Sequence, residues 1–268
     1  MPAIEIARLR MQMDRLVALC HQPERCLAAL HDLFEFYNDL TYRPGHTRQV
    51  QSLLPHYRVP APIIRQLEFE LSNFSLQDKE AGLKLADALW ADSYLEPRLL
   101  AIHIIGSIPA SPPEPVVTRL TNWAQAYEDR VVLDALIKIG TRRLLSEQTQ
   151  VWSDMVKTWL SSTNLVFQSM GLNAMLVTVE DHKFQNLPVI FQLVSASMQN
   201  LSANLQPDLL ALLQALSRRS PSETAYFFHQ VLTVAHNQHV PRLVRRCFPF
   251  FSEETQDGLR QALKSSQS

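Results

Sequence analysis

Apolar residues recur every three or four positions along nearly the whole chain, the periodicity of amphipathic helices and not the alternation of strands. Ile6, Leu9, Met13, Leu16 and Val17 form one stripe. His21, Gln22 and Pro23 break it, and Cys26, Leu27, Leu30, Leu33, Phe34 and Tyr37 restart it, so two antiparallel helices are predicted. The run TYRPGH, Thr41 to His46, reads as a loop leading to a short helix around residues 50–54. The prolines of VPAPIIRQLEFEL permit a helix only from about Ala61. Ser75, with Asp78 three residues on, predicts an N-cap for a helix over 77–91, and Pro97 opens another that ends near Gly106. SIPASPPEP, Ser107 to Pro115, is the strongest breaker in the chain. Beyond it, helices are predicted at about 115–127, 129–145, 149–161, 163–178, 187–200, 207–218, 222–236, 240–250 and 253–264. Ser220, Pro221 and Glu223 spell a capping box with proline in the first turn, which fixes a start near residue 221.

Counted in pairs, these helices recur about every 38 residues, close to the HEAT period. The expected fold is all-α: a right-handed superhelical solenoid of about six or seven HEAT-like antiparallel helix pairs, forming one domain over 1–268. An irregular all-helical globule is the alternative.

Composition narrows the function classes. No segment approaches the roughly 18 apolar residues of a membrane span, and the N-terminal stretch is too charged for a signal peptide, so a cytoplasmic protein without a membrane partner is expected. Cys20, Cys26 and Cys247 have no metal or redox spacing and read as buried small hydrophobes. No Gly-rich phosphate loop, nucleophile elbow or zinc motif is present, so neither a cofactor nor a metal is expected; His229, His236 and His239 are too poorly supported to form a metal site. A monomer is expected. With a net charge of -1, the chain can hold nucleic acid only by gathering its positive charge on one face.

Asp134 is the residue that demands an explanation. It sits among Val131, Val132, Leu133, Ala135, Leu136 and Ile137, where a carboxylate must either be partnered or point to solvent, four residues before Lys138. Basic residues come in doublets near helix ends, Arg142 and Arg143, Arg218 and Arg219, Arg245 and Arg246, with Lys157 and Arg242 nearby. On one surface they would track phosphates; the alternative is that they complement the negative ends of helix dipoles. Trp90, Trp123, Trp152 and Trp159 lie in apolar stripes and read as core, not as a platform for bases.

Five segments, VPAPIIR (Val59 to Arg65), ADALWADSYLEPRLLA (Ala86 to Ala101), VVLD (Val131 to Asp134), WLSSTN (Trp159 to Asn164) and LSRRSPSETAYFF (Leu216 to Phe228), resemble in their order the HEAT-like DNA alkylation repair family, the bacterial alkylpurine DNA glycosylases. The resemblance covers roughly residues 50 to 230. It implies a protein that binds duplex DNA, and a catalytic role for Asp134, the position at which the family's carboxylate stabilises positive charge on the sugar as a cationic base departs. It also implies packing and helix-start roles for Trp90, Glu96, Arg98, Trp159, Ser162 and Asn164. Three positions depart from the family: Arg130 replaces a Trp four residues before the Asp, and Val166 and Ser169 replace a Trp and an Arg. The expected DNA contacts are Arg130, Arg142, Arg143, Lys157, Arg218, Arg219, Arg242, Arg245 and Arg246, with glycosylase activity impaired by the departures. The competing reading is a HEAT-repeat adaptor that binds a protein partner.

Overall fold

The computed structural model describes residues 5–38, 52–125, 129–199, 202–234 and 239–265, and every regular element among them is helical. Contacts gather into two compact units, Met1–Trp152 and Ser153–Ser268, with the boundary inside the helix Thr149–Leu160. The predicted loop at 41–46 and the start of the predicted helix at 50–54 lie outside the described residues; residues 52–54 are not helical.

The first unit contains α1 (Ile6–Leu19), α2 (Pro23–Tyr37), α3 (Ala61–Gln77), α4 (Lys79–Trp90), α5 (Leu95–Ser107), α6 (Glu114–Gln125), α7 (Arg130–Ala135) and α8 (Arg142–Glu147). They form two rows. In one, α1 packs on α3, α3 on α5, and α5 on the segment from α7 to α8; in the other, α2 packs on α4. The second row continues to α6 through Trp90, stacked on Trp123 at 4.4 Å, and through Asp87, which accepts two hydrogen bonds from Arg119 at 2.8 and 2.6 Å. Helix α5 is buried over most of its surface, with Leu95, Leu99 and His103 part-exposed on one stripe, which fits its largely apolar sequence after Arg98.

The second unit begins within α9 (Thr149–Leu160) and continues with α10 (Leu165–Glu180), α11 (Leu187–Gln199), α12 (Gln206–Arg219), α13 (Pro221–Val234), α14 (Val240–Cys247) and α15 (Glu253–Ser265). Here α10, α12 and α14 make one row, while α11 lies on α10 and α15 on α13. The start at Pro221 follows the capping signal, although Glu223 accepts from the Ser220 hydroxyl at 2.9 Å and the Ser220 amide bonds to Leu216 instead.

Two predicted boundaries differ from the structure. Ser75 does not cap a helix; it lies fully buried inside α3 and donates to the Leu71 carbonyl at 2.7 Å, because α4 passes so close that a Cβ on Gly82 would meet the Ser75 Cβ at 2.7 Å. Asp78 takes the capping role, accepting from the Ala81 amide at 3.0 Å. The helix predicted over 129–145 is not continuous either. Residues Leu136–Gly140 form one π-helical turn, closed by Thr141 N–H donating to Leu136 O at 3.1 Å, and the wider turn sets the Ile139 carbonyl against α5. A Cβ on Gly106 would lie 2.1 Å from that oxygen, so only glycine admits the approach.

The irregular segment 52–60 is anchored residue by residue. Asp129 accepts from the Ser52 hydroxyl at 2.8 Å and the Leu53 amide at 2.7 Å with one oxygen, while its other oxygen caps α7 at the Val131 and Val132 amides. Pro55 O accepts from Leu95 N at 2.9 Å. Tyr57, stacked on Tyr94, shares a 2.8 Å hydrogen bond with His31 Nδ1, and His31 Nε2 meets Asp92 at 2.9 Å. Arg58, in the left-handed region at φ 58°, donates its amide to buried Glu96 at 2.8 Å.

Burial by itself pushes the Asp129 carboxyl up, but its hydrogen bonds to Ser52, Leu53, Val132 and Val131 outweigh that and hold it below the usual carboxylate range. Asp129→Ala strands buried donors as well as removing a cap, so it should lower stability by about 2–4 kcal/mol in urea unfolding at neutral pH. A group with a depressed folded pKa stabilises above its unfolded value, so this difference should shrink as pH falls below about 4. Gly106→Ala should cost about 3 kcal/mol in the same measurement, since the opposing atom is backbone and cannot rotate away.

Candidate functional site

Asp134 lies in the last turn of α7, between a capped N-terminus and the π-helical turn. Both ends are fixed, by Asp129 at the start and by the contacts of Gly106 with Ile139 and of Gly140 with Leu120 and Ile102 beyond it. The carboxylate itself is half-buried, and among the described residues it makes no hydrogen bond or ion pair. The pairing with Lys138 considered from the sequence does not form. Arg130, one turn before, and Lys138, one turn after, are both exposed, and neither reaches it within ion-pair distance. Asp129 and Asp134 are thus opposites on one short helix: the first saturated with donors, the second unpartnered.

A second grouping in this row escaped the sequence. Glu68 on α3 and His103 on α5 approach to 3.7 Å, too far for a hydrogen bond, with both side chains largely buried. Burial pushes Glu68 up against the opposing charges of Arg65 and Arg142, while burial and then Arg142 push His103 down. Arg142, exposed at the start of α8, therefore lends positive potential to the α3–α5–α8 surface. The only sequence signal was a polar residue, Glu68 or His103, inside each of two runs, LEFEL and AIHII, with those two residues 35 positions apart.

The basic doublets divide their labour. Arg143 is paired with Glu147, whose other oxygen accepts from the Ala110 amide at 2.8 Å, so this arginine steadies the turn after α5. Arg219 donates to the Val179, Asp181 and Phe184 carbonyls and so caps the end of α10 from a neighbouring helix. Its partner Arg218 is exposed and lies 5.4 Å from the Phe250 ring centroid. Lys157 pairs with Asp154 at 3.0 Å. Arg130, Arg142, Arg242, Arg245 and Arg246 are exposed and form no ion pair among the described residues.

The remaining motif residues are structural. All four tryptophans are buried, which leaves none as an exposed platform. Asn164 caps α10, accepting from the Val166 amide at 2.8 Å, and the Ser162 carbonyl takes a 2.6 Å bond from Gln168. Glu96 holds the Arg58 amide, and Arg98 donates to the Asp92 carbonyl at 2.6 Å beneath Trp90. Ser169, one of the departing positions, bonds through its hydroxyl to Asp208 at the first turn of α12 and accepts from Asn173. Cys20 and Cys26 are buried with their sulfurs 3.5 Å apart, Cys247 is buried, no cluster of potential metal ligands occurs among the described residues, and His236 lies outside them. No helix of the described residues is long and apolar enough to cross a membrane.

The described residues thus make an all-helical protein in which the Asp134 carboxylate and several exposed arginines are left without ion-pair partners. The family model of the DNA alkylation repair enzymes matches residues 44–247, and the chain belongs to that family. No curated protein and no solved structure matches it.

The Glu68–His103 geometry makes a specific expectation for an NMR titration. His103 should titrate below its ordinary midpoint, and Arg142→Ala should raise that midpoint by relieving like-charge repulsion. A folded pKa lowered below the unfolded value means that His103 supports stability at neutral pH, and that this support is lost as pH falls below about 6.5.

Proposed function

We propose that the protein binds duplex DNA with the surface around Asp134, and that this binding outweighs any residual base release. The observation that carries the reading is the half-buried, unpartnered Asp134 with Arg130 one turn away, inside a stretch that belongs to the DNA alkylation repair family. Arg130 and Arg142, both exposed and without acid partners among the described residues, would contact phosphates on either side of it. The helix pairs of each unit would serve as HEAT-like repeats that present these residues along a ligand.

In this reading Asp134 would stabilise positive charge on a sugar, and its place on a braced helix supports the role because a held carboxylate needs little reorganisation. Positioning is where the site is weak. The family's Trp before the Asp is here Arg130, and Ser169 is engaged with Asp208, so the flat partners of sugar and base and one cationic partner of a phosphate are absent from those positions. Arg130 compensates by adding a charge that holds the backbone.

Fluorescence anisotropy with a short duplex at low salt should show binding that weakens steeply as salt rises. Arg130→Glu with Arg142→Glu should weaken it by about tenfold or more and flatten the salt dependence. Asp134→Asn should leave affinity unchanged or slightly higher while abolishing whatever release of 7-methylguanine from alkylated DNA exceeds the spontaneous rate, a loss of roughly a hundredfold if catalysis is efficient. Binding insensitive to both salt and the arginine reversals would refute the reading.

A further inference from the structure

In the second unit, α12 and α14 enclose an open groove of about 400 Å³ that none of the foregoing uses. Its floor is apolar. Leu210 and Leu243 are almost fully buried beneath it, and Pro207 and Ala211 complete the lining. One rim carries Arg242 and Arg246, both exposed and one helical turn apart on α14; the other carries Gln206 and Gln214 along α12. Gln214 donates to the Arg246 carbonyl at 3.2 Å, which ties the two walls together at one end. The nearby acid on α12, Asp208, is turned to Ser169 and does not line the groove, so the two guanidinium groups face it without a counter-charge among the described residues.

We propose that this groove docks an acidic amphipathic helix of a protein partner. The two halves of the groove select that chemistry together. A phosphodiester backbone would satisfy the arginines but leave the leucine floor unused, and no aromatic ring lines the groove to stack an unpaired base. A helix that carries carboxylates at i and i+4 repeats them at about 6 Å, the same rise that separates Arg242 from Arg246, and can lay leucines along the same face. The wall from Gln206 to Gln214 runs for about 12 Å at 1.5 Å per residue, enough for two turns of ligand. Three arginines and no acid on the eight residues of α14, in a chain of net charge -1, supply the long-range attraction. The proposal is independent of the DNA reading, which rests on residues of the first unit.

The test uses the full chain and a fluorescein-labelled helical peptide with Glu at i and i+4 and Leu at i+3 and i+7, read by fluorescence polarisation. Binding is expected with Kd on the order of 10–100 µM, weakening as salt rises. Arg242→Glu with Arg246→Glu should weaken it by at least about tenfold, and Ala211→Glu, which places a charge on the floor without touching the rim, should do the same. Arg245→Glu, a single charge reversal on the same helix but outside the groove, should weaken it far less than either groove variant. Thermal melts confirm that each variant is folded, and should the double reversal unfold, Ala211→Glu against Arg245→Glu decides. Three results overturn the proposal: a peptide with Ser in place of Leu binding equally well, Arg245→Glu weakening binding as much as the groove variants, or no binding at millimolar protein. Displacement of the peptide by a short DNA duplex at a lower concentration than by unlabelled peptide would also overturn it and make the groove a phosphate site.

Discussion

Helix α5 is buried over most of its surface, with only the stripe of Leu95, Leu99 and His103 part-exposed, and covering it shapes everything around it in the first unit. A helix buried on most of its sides needs neighbours in several directions, so α3, α4 and the segment from α7 to α8 all reach it. The closest of these approaches is backbone to backbone, at Gly106 and Ile139, and it coincides with the π-helical turn that follows Asp134. One extra residue in that turn both brings the Ile139 carbonyl onto α5 and ends the regular helix carrying the carboxylate. The rigidity of the Asp134 backbone is thus a by-product of how a core helix is covered.

Charge in this protein is divided between groups that are consumed by the fold and groups that are left over. Asp129 is satisfied by four donors, Glu147 by Arg143 and the Ala110 amide, and Arg219 satisfies the carbonyls that end α10. Burying such groups is tolerable because every charge meets hydrogen-bond partners. Half-buried Asp134 and the exposed Arg130, Arg142 and arginines of α14 have no comparable partners among the described residues, and for the arginines exposure makes that inexpensive. Groups left unpaired at the surface are the ones free to meet a ligand, and they fall at two places of different chemistry. Around Asp134 a single acid stands among cations; on α14 cations border an apolar floor.

Membership of the DNA alkylation repair family is compatible with this division, because several polar residues inside the matched stretch are engaged in scaffold contacts. Glu96 and Arg98 hold the segment before α3 and the turn before α5; Asn164 caps α10; the tryptophans fill the core. Ser169 likewise serves the fold, its hydroxyl joining α10 to α12 through Asp208.

The sequence by itself determined the all-helical class and most helix limits, because hydrophobic period, proline placement and caps are local signals. Pro221 and Asn164 start helices where their residue types require it, and the helix opened around Pro97 ends close to Gly106 as its sequence implies. It also marked Asp134 as unusual and the tryptophans as core. What it left open depended on partners far along the chain. Ser75 resembled a cap until α4 packed against it at Gly82, and the helix over 129–145 looked continuous until α5 demanded a wider turn. Glu68 and His103 meet only because α3 and α5 are neighbours. In the Arg218–Arg219 doublet a neighbouring helix decides which member is engaged: Arg219 reaches the carbonyls ending α10, some 35 to 41 positions away, while Arg218 stays exposed. Periodicity tells a side chain whether to face the core, but whether a charge is spent or left available depends on what lies opposite, and only the packed helices supply that.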